Sequence, residues 1–175
     1  MKFLNILFAP LFVLLINYFE LRDVVLAYFL VAIMYLFYCS IQRKKFVDIV
    51  VASMYVLVLG VAYYYSSIKM VKFIPTFLSV LFLMIFLNSH IKKKYMILGF
   101  TKMFYKKELS QDQEAFLQRG DLYWVFVMLI NTIVHVYVVY NCSENFWAFY
   151  ASIGWYGLFF SALGSQIIYG KVRYK

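Results

Sequence analysis

Apolar residues in this chain come in long unbroken runs, and short polar clusters separate the runs. Alternation with a period of two would mark half-buried strands, and a period near 3.6 would mark a helix with one wet face. Continuous runs instead mark segments that are apolar on every side. Six of them meet the length of about 17–25 residues that a helix needs to cross a bilayer: roughly 3–19, 24–41, 46–65, 71–90, 122–140 and 146–169. Only helices and closed barrels satisfy their backbone hydrogen bonds in lipid, and barrel strands alternate where these runs do not. The pattern predicts an all-α fold, a polytopic transmembrane helical bundle with six spans over residues 1–175 as one integral membrane domain. The first run contains Pro10; if it did not cross, five spans would remain and only the amino terminus would change sides.

The stretch over 91–121 breaks the pattern, and it predicts a cytoplasmic loop in three parts. Lys92, Lys93 and Lys94 lie directly under the fourth run, where a basic cluster attracts anionic headgroups at about 1 kcal/mol per charge. Ile97, Phe100 and Phe104 then recur at i, i+3 and i+7 with Met96 and Met103 beside them, while Lys102 and Lys106 turn away. That is the pattern of a helix lying in the membrane interface. Finally, Ser110 followed by Gln113 forms a capping box, with Asp112 and Glu114 favourable to the helix dipole. The helix so started is expected to break at Gly120, before Asp121 leads into the bilayer.

Composition changes the picture little but removes rivals. A soluble domain is roughly 45–50% apolar and about 25% charged, whereas this chain is 65% and 14%. At 175 residues it is too small to hide that excess in a core. The net charge of +9 could suggest a nucleic-acid binder, but the basic residues sit between apolar runs rather than over one face, so no nucleic-acid partner is expected. Their distribution sets orientation instead. With the amino terminus inside, 14 of the 17 Lys and Arg are cytoplasmic, leaving Arg22, Lys69 and Lys72 outside. Both termini are then cytoplasmic. The first run has the Lys and apolar core of a signal peptide without an Ala-x-Ala site, and it is expected to be retained. Cys39 and Cys142 fall at opposite membrane edges and are expected to be unpaired.

Candidate chemistry is sparse. No Asp, Glu, Lys or Arg lies in the middle of any run, which argues against a transporter built on a buried carboxylate and against acid–base catalysis in the membrane. The remaining polar intramembrane candidates are Asn131, Thr132 and His135 on one helix face, with Gln166 on the last run. A histidine there could shuttle protons or bind a headgroup phosphate, but hydrogen bonding to a neighbouring helix is the ordinary role of such residues. Gly157, Ser161 and Ser165 recur every fourth residue and predict close helix packing, within the bundle first and against a second copy as the rival. No phosphate loop, zinc motif, nucleophile elbow or haem motif occurs, so no cofactor, metal site or catalytic residue is expected.

The second half of the chain adds a resemblance. "KKELS" (106–110), "LYWVF" (122–126), "NFWAFYASIG" (145–154) and a last span ending in basic residues together resemble the intracellular septation protein A (YciB-like) family of small bacterial inner-membrane proteins. Lys107, Glu108, Leu109, Asn145, Trp147, Tyr150 and Gly154 carry it, joined in the first half by Pro10 and the basic turn "QRKK". The resemblance implies a multi-pass protein of the bacterial inner membrane, linked to envelope maintenance, division or wall synthesis through protein partners. It implies no catalytic residues, and it implies five spans where the chain's own runs number six.

Together these readings predict a non-enzymatic membrane protein acting through helix packing and its basic loop. Lys92, Lys93, Lys94, Lys102, Lys106, Lys107 and Arg119 are the expected contacts with anionic headgroups or envelope proteins. One rival is a small transporter or lipid handler with a polar path around Asn131 and His135. Another is the membrane subunit of a lipid- or glycan-modifying enzyme.

Overall fold

The structure, a computed structural model, describes the backbone of residues 2–104 and 108–173, with side chains over 8–103 and 108–173. All regular structure among the described residues is helical. The helices are α1 (Lys2–Ile16), α2 (Leu21–Ile41), α3 (Phe46–Tyr65), α4 (Ile68–Lys72), α5 (Ile74–Ile91), α6 (Met96–Phe104), α7 (Gln111–Asn141), α8 (Glu144–Phe149) and α9 (Trp155–Arg173). A π-helical turn, Tyr150–Gly154, joins the last two.

Five segments are long and apolar enough to cross a membrane: α2, α3, Ile68–Ile91, α7 and Glu144–Arg173. They contain, to within a few residues, five of the six expected runs. The first run differs, because α1 has only 15 residues. That is about 22 Å of helix at ~1.5 Å per residue, against a hydrocarbon core of about 30 Å. Its end tightens into i to i−3 hydrogen bonds, Asn17 N–H to Leu14 C=O at 3.3 Å and Tyr18 N–H to Leu15 C=O at 3.0 Å.

Three helix ends share one device. In α2, α3 and α5 the chain closes with a 6→1 bond, Lys44 to Cys39, Ser67 to Ala62 and Lys94 to Ser89, each outside a 5→2 bond. This is the Schellman motif, which needs a left-handed residue at its turn. Arg43, Ser66 and Lys93 occupy that position at φ 47°, 48° and 53°, where glycine is usual.

The chain falls into two compact units, Met1–Leu78 with His135–Ser152, and Ser79–Val134 with Ile153–Lys175. In the first, α2 and α3 pair as a hairpin, with the Arg22 guanidinium 4.9 Å from the Tyr63 ring centre. Phe12 of α1 is fully buried and meets the rings of Tyr28 and Trp147 edge-on. In the second, the core is Trp124, Val127 and Met128 of α7 with Ala162 of α9, flanked by Leu83, Phe86 and Ile97. The outer surfaces are apolar: Phe37, Leu57, Phe126, Ile133 and Phe160 are each at least 60% exposed. Lipid is the solvent that such surfaces suit.

Candidate functional site: buried polar contacts along α7

The capping box forms as expected at the start of α7. Ser110 N–H donates to Gln113 Oε1 at 3.0 Å, and Gln113 N–H donates to Ser110 Oγ at 3.3 Å. Beyond it the helix runs unbroken for 31 residues, so Gly120 does not end it. Strong helix formers before it and tertiary packing override the glycine. What Gly120 provides is room. A Cβ there would lie 2.7 Å from Gln166 Nε2 and 3.0 Å from Ile97 Cγ2.

Next to it, Asp121 is fully buried within the second unit. Its Oδ2 accepts the Ser89 hydroxyl at 2.6 Å and the Met96 N–H at 2.9 Å, and its Oδ1 accepts the Ile97 N–H at 2.9 Å. The carboxylate therefore caps α6 from another helix. Tyr95, which precedes α6, is not a short capping residue, and the first N–H groups of a helix need a partner when buried; Ser89 Oγ also accepts the Met96 N–H, at 2.9 Å. The negative charge also meets the positive end of the α6 dipole. Left-handed Lys93 and Tyr95 bend the chain sharply enough to aim those amides at Asp121.

The docked helix has two faces. Ile97 packs toward the Trp124 core, while Phe100 and Met103 are 52% and 77% exposed. Lys92, Lys93, Lys94, Lys102 and Arg119 are all exposed, and Lys102 pairs with Glu114 of α7. Lys106 and Lys107 lie outside the described residues, as does the side chain of Phe104.

The four polar intramembrane candidates make different contacts. Asn131 Nδ2–H donates to Ser79 Oγ at 2.9 Å, Ser79 and Thr132 hydroxyls are 2.9 Å apart, and the Thr132 hydroxyl reaches Met128 C=O at 2.8 Å. Ser79 of α5 thus joins Asn131 and Thr132. Gln166 is elsewhere in that unit, its Oε1 taking the Trp124 indole N–H at 2.8 Å. His135 belongs to the first unit, its ring edge-on to Tyr150 at 4.9 Å.

Of the small-residue stripe on α9, Ser165 bonds the Tyr123 hydroxyl at 2.8 Å, Ser161 is exposed, and a Cβ added at Gly157 would meet nothing within 4 Å. The face of α9 that packs is Leu158, Phe159, Ala162 and Leu163. Cys39 and Cys142 are free thiols, and among the described residues no three His, Cys, Asp or Glu side chains group as metal ligands.

Ser79, Ser89 and Asp121 escaped the sequence reading. No sequence signal marked Asp121 as a cap, because its partners lie 24, 25 and 32 residues away. No family model, curated protein or solved structure matches the chain.

Proposed function

We propose that the chain is a non-enzymatic, multi-pass protein of the bacterial inner membrane that supports envelope maintenance or septation. It does so by presenting a fixed, basic, amphipathic surface to anionic headgroups and to envelope proteins. The observation that carries this reading is the cap of α6 by Asp121, which turns a basic loop into a docked element with Phe100 and Met103 facing outward. Apolar exposure beside exposed lysines is the combination that an interfacial or partner-binding helix needs.

In the proposed orientation the turns at 42–45 and 92–95, α6 and both termini face the cytoplasm, following the excess of Lys and Arg there. The short α1 crosses as a sixth span. The loop to α2 is only residues 17–20, and Tyr28 of α2 donates to Phe8 C=O, so α1 lies back along α2. Slight bilayer thinning accommodates the remaining ~8 Å.

Photo-crosslinking from Phe100 and Met103 in native membranes tests the reading. Adducts with envelope proteins are expected, and Asp121→Ala should abolish them. Recovery of the monomer alone, or adducts indifferent to that substitution, would contradict it.

A further inference from the structure

Within the first unit, two buried polar atoms have no hydrogen-bond partner among the described residues, and a lysine four residues from one of them has a buried stem with no carboxylate paired to it. The Lys72 side chain, at the end of α4, is 6% exposed, and no carboxylate pairs with it; the described residues hold one ion pair, Lys102 with Glu114. Thr76 is also 6% exposed, and its hydroxyl bonds to nothing. His135 is 3% exposed, with Nδ1 unbonded. Buried polar atoms such as Thr76 Oγ1 and His135 Nδ1 are costly unless satisfied, and a lysine with a buried stem beside them supplies positive charge.

Their placement brings them together. The backbone stays right-handed through Phe73 (φ −76°, ψ −14°), so Lys72 and Thr76, four residues apart, share a face. The Phe73 ring meets Tyr140 at 5.7 Å, which sets the start of α5 against the end of α7. Thr76 is nearly a turn further along α5, and His135 is about a turn and a half back along α7, from that contact. The Trp147 indole N–H holds the joint in place through Lys72 C=O at 3.0 Å, and Tyr150, one turn on from Trp147, supports the His135 ring.

One ammonium, one hydroxyl and one imidazole, with no acid among them, complement a ligand that carries negative charge on several acceptor oxygens. We infer that Lys72, Thr76 and His135 form a binding site for a phosphate-class anion, at the end of the Ile68–Ile91 segment remote from Lys92, Lys93 and Lys94. The phosphodiester headgroup of an anionic lipid and free inorganic phosphate share this chemistry. The site does not depend on the role proposed for α6.

Native mass spectrometry of the full chain in detergent, titrated with phosphatidylglycerol with and without inorganic phosphate, tests the site. Lys72→Met should weaken lipid binding about tenfold or more, and Lys72→Arg should largely retain it. Thr76→Val should weaken it about threefold, and Lys69→Met, an equal charge loss at an exposed neighbour, should change it less than about twofold. Competition by inorganic phosphate would identify the free ion as the ligand, and its absence the headgroup; either pattern supports the site. Thermal unfolding guards against misfolding: without anion Lys72→Met should unfold no earlier than the parent, and with phosphatidylglycerol it should lose the parent's gain. Unchanged binding in Lys72→Met, an equal loss in Lys69→Met, or an undiminished thermal gain would overturn the inference.

Discussion

The carboxylate of Asp121, in the interior of α7, accepts the backbone N–H of Ile97 in the first turn of α6 at 2.9 Å. A single side chain thereby links a helix long and apolar enough to cross a membrane to the amphipathic helix beside it. Removing it leaves the Ile97 N–H and the Ser89 hydroxyl without their acceptor, while the Met96 N–H keeps Ser89 Oγ at 2.9 Å. Asp121→Ala should cost about 2–4 kcal/mol of unfolding free energy in bicelles, since an interior cap and buried donors are lost together. Asp121→Asn keeps one acceptor oxygen and should cost about half as much.

Glycines on α7 and α9 should respond in opposite directions. Gly120→Ala drives a methyl into Ile97 and the hydrogen-bonded Gln166, so a loss of about 1–2 kcal/mol is expected despite the better helix propensity. Gly157→Ala and Gly164→Ala meet open space and should gain up to about 1 kcal/mol. Thermal unfolding of the three variants side by side checks the contrast.

The Asn131–Ser79–Thr132 chain of hydrogen bonds is a packing device in this account. Ser79→Ala and Asn131→Ala should each cost about 0.5–2 kcal/mol, the range for polar contacts between membrane helices. Growth and envelope lipid composition should not change. A transport or lipid phenotype in a stably folded Asn131→Ala variant would shift the reading toward a polar path.

Lys93 holds a left-handed conformation that costs a non-glycine residue about 1 kcal/mol or more. Lys93→Gly should therefore stabilise the fold by about 1 kcal/mol, and Arg43→Gly and Ser66→Gly should do the same at their own Schellman turns, as measured by chemical unfolding.

The spans were legible because crossing a bilayer is written into length and continuity of apolar sequence. Phe46–Tyr65 matches its run to the residue, and the Ser110–Gln113 box was readable from spacing alone. Helix ends closed by Arg43, Ser66 and Lys93 carried no glycine to mark them. Gly120 looked like a break because a glycine's local propensity is visible in sequence, whereas Ile97 and Gln166 pressing against it are not. Asp121 looked like a membrane-entry marker for the same reason: its partners are 24, 25 and 32 residues away. Lys72 was counted as a loop charge, and only the packing of its unit reveals that it is buried.

The central claim is that the basic segment after α5 is built structure held by Asp121 rather than a tether. Hydrogen–deuterium exchange on the chain in nanodiscs tests this most directly, at the amides of Met96 and Ile97. Both should be protected in the parent, and Asp121→Ala should release Ile97 fully and Met96 less, because Ser89 Oγ still accepts the Met96 N–H, while the amides of α3 and α9 keep their protection. Rapid exchange of Met96 and Ile97 in the parent, at the rate of Glu108 and Leu109 outside any helix, would contradict the account.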